Sequence, residues 1–195
     1  IQALAYQLYE NNGVIKRDQV SEYLKDLGQN ERKILRNLGV KFGRYHVFLY
    51  RLIKPEAVSL RTLLWKNYHQ KYFNLKPPTF GLNFIDNDNL KNKNFMLLCG
   101  FEKFENLYIR IDILERLFML IISNSEKEKE IKIIPEMLNL LGCSNDKFKK
   151  LLKNMNYKIF EKNNETFFKY APKKKLKKFD KKIVKESPFG ILKNL

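Results

Sequence analysis

"IPEMLNLLGCSNDKFKKLLKNMNYKIFEKNNETFFKY" (residues 134–170) is the stretch whose reading decides the fold. Pro135 suits the first turn of a helix, where its missing N–H is no loss, and the apolar spacing predicts that helix over 135–141. Gly142-Cys143-Ser144 reads as a turn, with the Ser144 hydroxyl placed to accept a backbone N–H at the start of a second helix, 145–155. On that helix Phe148, Leu151, Leu152 and Met155 recur at i, i+3, i+4 and i+7, so they mark the buried face and leave Lys150 and Lys153 nearly opposite. "YKIFEK" and "TFFKYA" then change to a period of two and meet at Asn163-Asn164, as a two-stranded hairpin does. With "IKII" ahead of Pro135 as a short strand, the order is helix, strand, helix, turn, helix, wing. That is the order of a winged helix.

Working outward, Ile113, Leu114, Leu117, Phe118 and Ile121 mark a helix from Asp112 that ends in the charged run "SNSEKEKE". "FMLLCGFEKFENLYIRI" has two apolar runs around a polar centre and predicts a hairpin over about 95–111, with Cys99 in an apolar strand. "KPPTFGLNFIDNDNLKNKN" (76–94) reads as a linker or long loop. Before it, Leu4 and Leu8 with Ile1, Ala5 and Tyr9 take helical spacing, and Val20, Tyr23, Leu24 and Leu27 do so over 17–27. Asn30 can cap a helix over 31–38, which Gly39 would close in a left-handed conformation. Residues 45–50 alternate as a short strand, and Pro55 opens a helix with Val58, Leu64, Trp65 and Tyr68 inward. The expected fold is mainly α with short β-hairpins, in the α+β class. It divides into a helical unit with one short strand (1–75), the linker (76–94), a hairpin plus winged-helix-like unit (95–170) and a basic flexible tail (171–195). An opening on Ile1 rather than Met suggests a piece of a longer protein.

Charge points to the partner. Lys and Arg number 38 against 21 Asp and Glu, a net +17 that predicts a polyanion, nucleic acid before membrane. Seven lysines fall within residues 173–182 alone. No run approaches the roughly 20 apolar residues of a membrane span, so a cytoplasmic location is expected. Two cysteines and two histidines without metal-ligand spacing predict no metal site. A nucleophilic Cys143 would need a base beside it, and His46 and His69 both belong to the other unit, so it reads as a small apolar side chain at a turn. No phosphate loop, GxGxxG, DExH box, GxSxG or HExxH is present, and the acids are scattered among lysines. No catalytic residue can be nominated in this chain.

Four blocks, "LGVKFGRYHVFLYRLIKPEAVSLRTLLW" (38–65), "YIRIDILERLFMLI" (108–121), "IPEMLNLLGCSNDKFKKLLKNMNYK" (134–158) and the terminal "SPFGILKNL", resemble in that order the C-terminal part of bacterial superfamily 2 DExH-type helicases related to the mitochondrial RNA-degradosome helicase. The resemblance implies a parent chain whose two RecA-like domains precede this region and hold ATP and Mg there. No position here matches an ATPase residue, so no cofactor is expected in this chain. It further implies a region that guides or holds the strand, RNA ahead of DNA, beside the motor domains and with a ribonuclease as a conceivable partner.

The residues nominated for phosphate contact are Lys149, Lys150 and Lys153 on the second helix, Lys158, Lys162 and Lys169 on the wing, and Lys173, Lys174, Lys175, Lys177 and Lys178 in the tail. The same lysines would equally serve as a solvated face. "RTLLWKNYHQKYF" interleaves charge and aromatics, so Trp65, Tyr68 and Tyr72 are either a base-stacking surface or core. Phe189, Leu192 and Leu195 recur at i, i+3 and i+6 and could dock on a partner. A protein-interaction scaffold is the alternative function.

Overall fold

In the computed structural model, which describes residues 1–70, 74–86, 92–125, 130–162 and 165–171, the first helix α1 (Gln2–Glu10) buries Leu4 and Leu8 and leaves Tyr6 and Tyr9 in solvent. A turn through Asn12 and Gly13, both at positive φ, leads to β1 (Val14–Lys16). The φ of +79° at Gly13 is what calls for glycine, since a Cβ there would meet only the end of the Leu52 side chain. The expected helix over 17–27 divides into a 3-10 turn (Arg17–Val20) and α2 (Ser21–Asp26). Helix α3 (Gln29–Asn37) starts two residues earlier than Asn30 would allow, because Glu31 turns back to accept the Gly28 N–H at 2.8 Å. Gly39 does close it, with φ +92°. β2 (Val40–Phe42) and β3 (His46–Leu49) complete a sheet in the order β1-β3-β2. Leu4, Leu8, Val20, Leu24, Leu35 and Val47 form its core.

Helix α4 (Pro55–Tyr68) opens on its proline as expected, but its faces differ from the sequence reading. Val58 and Thr62 point inward and Trp65 is half-buried, whereas Leu64 and Tyr68 are exposed. The stretch 76–94 carries a strand, β4 (Phe84–Asp86), and the beginning of α5 (Lys93–Leu98). Residues 95–98 are therefore helical, not extended: the Asn92 side chain accepts the Phe95 N–H at 2.9 Å and starts the turn. Cys99 is the last residue of that turn and is buried. The hairpin is the shorter pair β5 (Phe101–Phe104) and β6 (Leu107–Arg110), and β4 pairs with β6 to give the order β4-β6-β5. Val58 and Trp65 of α4 pack with Phe95, Met96 and Tyr108, so the apolar contact runs straight across the expected break at 76–94.

Helix α6 (Ile111–Ser125) buries the five predicted residues Ile113, Leu114, Leu117, Phe118 and Ile121. After it come β7 (Ile131–Lys132), α7 (Pro135–Leu141), α8 (Asn145–Asn154), β8 (Tyr157–Lys162) and β9 (Glu165–Tyr170), with sheet order β7-β9-β8. Gly142 takes the left-handed conformation at φ +69° that ends α7. Ser144 is the N-cap of α8 by position, but its hydroxyl makes no capping hydrogen bond. Phe148, Leu151 and Leu152 of α8 meet Tyr157 and Phe168 of the wing in one core with α6 and α7. Each such buried side chain contributes about 1.5–3 kcal/mol. The fold is α+β, with a helical amino-terminal unit followed by a winged-helix-like unit.

Candidate nucleic-acid interface

Helix α8 turns Phe148, Leu151 and Leu152 inward, and a pitch of 3.6 residues then drives Lys150 and Lys153 outward, where both are exposed. Lys149 lies at the flank and is half-buried, within 3.2 Å of Glu161. Lys147 reaches Asp86 at 3.1 Å and so ties α8 to β4. On the wing, Lys162 is paired with Glu130. Lys150, Lys153, Lys158 and Lys169 have no ion-pair partner among the described residues. Lys158 and Lys169 stand directly opposite each other across the β8–β9 ladder, a like-charge arrangement that costs stability.

These lysines do not form one patch. Helix α8 packs on the inner face of the wing sheet, so its outer lysines point away from that sheet, while Lys158, Lys162 and Lys169 lie on the sheet's opposite face. Nucleic acid held by both sets would have to wrap around the unit. Lys173, Lys174, Lys175, Lys177, Lys178, Phe189, Leu192, Leu195 and Tyr72 lie outside the described residues.

The other aromatic candidates separate. Trp65 packs on Phe95, ring centroids 5.5 Å apart, and on His69 at 4.6 Å, whereas Tyr68 is 85% exposed. Arg61, in the same run, is structural: its guanidinium donates to the Leu52 carbonyl at 2.7 Å and to that of Asn12, and burial pulls its pKa down to about 10. Burial pushes the Cys143 thiol up to about 11 despite Lys147, and the Cys99 thiol up to about 12 despite Arg61 and Lys66. Burial thus favours the thiol form of both cysteines, which disfavours thiolate chemistry at either.

Sequence reasoning missed a buried ionic cluster where the amino-terminal hairpin meets the rest. His46 Nε2 lies 3.0 Å from Glu102 and its Nδ1 3.3 Å from Glu115, while Lys16 donates to Glu102 at 2.8 Å. Burial alone would lower the His46 pKa, but the two carboxylates outweigh it and raise it above 6.5. Burial would raise that of Glu102, and His46 and Lys16 reverse this and lower it. Glu115 also accepts the backbone N–H groups of Arg44, Tyr45 at 3.0 Å and His46 at 2.9 Å, which holds the β2–β3 turn on α6. Both ring nitrogens of His46 are thereby occupied. A cleft of about 620 Å³ beside this cluster is lined by Lys16, Arg17, Arg44 and Lys103, yet Lys16 is spent on Glu102 and Arg17 on the Gly43 carbonyl. Among the described residues no helix is long and apolar enough to cross a membrane, and no group of His, Cys, Asp and Glu is arranged to hold a metal ion. Compared with protein-family models, with curated proteins and with solved structures, the chain has no match.

Proposed function

We propose that this chain is a nucleic-acid-binding region that holds a strand by its phosphates, serving as the C-terminal accessory part of an ATP-dependent helicase whose motor domains would carry ATP and Mg. The observation that supports it is the set of displayed lysines without counterions, above all Lys158 opposite Lys169. Folding gains nothing from that pair, whereas a phosphate bridging it would relieve the repulsion and release condensed counterions. RNA is the preferred strand in this reading because the resemblance of residues 38–65, 108–121 and 134–158 is to helicases of RNA turnover. The test is fluorescence anisotropy of a labelled single-stranded oligoribonucleotide with the 195-residue chain. Binding at low salt that weakens steeply as salt rises is expected, and no binding at low salt would overturn the proposal.

A second reading is favoured by one observation on α4. Leu60, Leu63 and Leu64 are 58%, 54% and 59% exposed on the outside of a folded helix. Such a patch suits a protein partner, either the motor domains or a ribonuclease docked beside them. Leu60→Lys with Leu64→Lys would abolish that docking in a pull-down with the motor and leave oligonucleotide binding unchanged. Docking that survives the double substitution would reject this surface.

A further inference from the structure

Strand alternation places Lys158, Phe160 and Lys162 of β8 on the face of the wing sheet turned away from the core, opposite Lys169, Phe167 and Glu165 of β9. β7 extends the middle row, since Lys132 is the partner of Phe167. The inner face carries Ile159 and Phe168, which pack into the core, whereas Phe160 and Phe167 join none of the buried clusters of described residues. Both rings are partly exposed and lie side by side, centroids 6.1 Å apart and planes within 12° of parallel. An outer face made only for solvent would be polar at its centre. Here the centre is aromatic, with Lys158 and Lys169 along one edge and Lys162 and Glu165 along the other. Along that second edge Lys132 is paired with Glu165 and Lys162 with Glu130, the Lys162 ammonium lying 5.4 Å from the Phe160 ring centre, whereas Lys158 and Lys169 along the first edge have no acid partner among the described residues.

We propose that this face is a stacking platform for single-stranded nucleic acid, on which successive bases lie against Phe160 and Phe167 while Lys158 and Lys169, the two lysines of the face without an acid partner among the described residues, meet the phosphates. The proposal rests on the nucleic-acid reading above and adds that the strand is single. A duplex keeps its bases stacked inside and offers this face its phosphates alone. Neither phenylalanine nor lysine reads the sugar hydroxyl, so this face stacks RNA and DNA bases alike and is not the source of the preference for RNA proposed above.

The test uses the 195-residue chain and an oligouridylate of about 12 nucleotides carrying one 2-aminopurine, whose emission is quenched by stacking on an aromatic ring. Quenching is expected with the wild-type chain, and equally with an oligodeoxythymidylate probe of the same length. Phe160→Leu with Phe167→Leu keeps apolar bulk but removes the ring faces, and lowers affinity at least about tenfold, abolishes quenching and leaves the salt dependence unchanged. Phe160→Tyr with Phe167→Tyr restores both affinity and quenching. Binding by the wild-type chain without quenching, quenching that survives the leucine pair, or equal competition by a duplex of the same length would overturn the platform. If the leucine pair fails to fold, the wild-type quenching and the duplex competition still decide. Absence of any binding would overturn the nucleic-acid reading itself, so the two failures are distinguishable.

Discussion

Glu115 decides how the amino-terminal hairpin meets the wing unit. Its carboxylate accepts three consecutive backbone N–H groups and faces His46, and a Cβ on Gly43 would fall within the carboxyl group. Glu115→Ala should cost about 3 kcal/mol in urea denaturation, because charge-assisted hydrogen bonds of about 1.5–3 kcal/mol each are only partly replaced by water. A loss under about 1 kcal/mol would show that the turn stands without it. The pH dependence follows from the same cluster. His46 has its pKa raised above 6.5, so its contribution is complete below 6.5 and is lost as pH rises through the raised value. Glu102 has its pKa lowered below 4.5, so its contribution is complete above 4.5 and is lost as pH falls through the lowered value. The difference in denaturation midpoint between wild type and His46→Asn should therefore shrink as pH rises from 6.5. A constant difference would mean that His46 stays neutral when folded. None of this was legible in the sequence, because His46 finds Glu102 and Glu115 at separations of 56 and 69 residues and no local pattern joins them.

Elements were legible where one periodicity acted alone. The order α6-β7-α7-α8-β8-β9 follows from a clean apolar face on α6 and α8 and clean alternation in the hairpin. Helix α4 has leucines on its outside, at Leu60, Leu63 and Leu64, so periodicity could not choose a face, and Leu64 and Tyr68 were turned the wrong way. Residues 95–98 read as a strand because four apolar residues in a row have no period, and the cap at Asn92 was the signal overlooked. β4 is three residues long in an Asn-rich stretch and gains its place only by pairing with β6. For the displayed face of α8, Lys150→Glu with Lys153→Glu should weaken single-strand binding at least about tenfold with an unchanged melting transition. Lys25→Glu with Lys33→Glu, an equally exposed pair on α2 and α3, serves as the control. Equal losses from the two pairs would mean diffuse charge and no site on α8.

Across the whole molecule, charge was the most legible property and its distribution the least. The net +17 pointed to a polyanion from composition alone, but the split of the lysines between the outside of α8 and the outer face of the wing depends on which side of the sheet the helix covers. Truncation after Tyr170 removes a net +7 and should weaken binding of every polyanion alike, single strand or duplex. Selective loss of single-strand binding on truncation would place the specificity in the tail and not on the wing. The most direct measurement is the slope of log binding constant against log salt concentration for a single strand, compared between wild type and the chain with Lys150, Lys153, Lys158 and Lys169 all changed to Ala. Each phosphate contact on a single strand contributes about 0.7 to that slope, so direct contact by these lysines predicts a slope shallower by about 2 to 3 with the fold retained. An unchanged slope would contradict it.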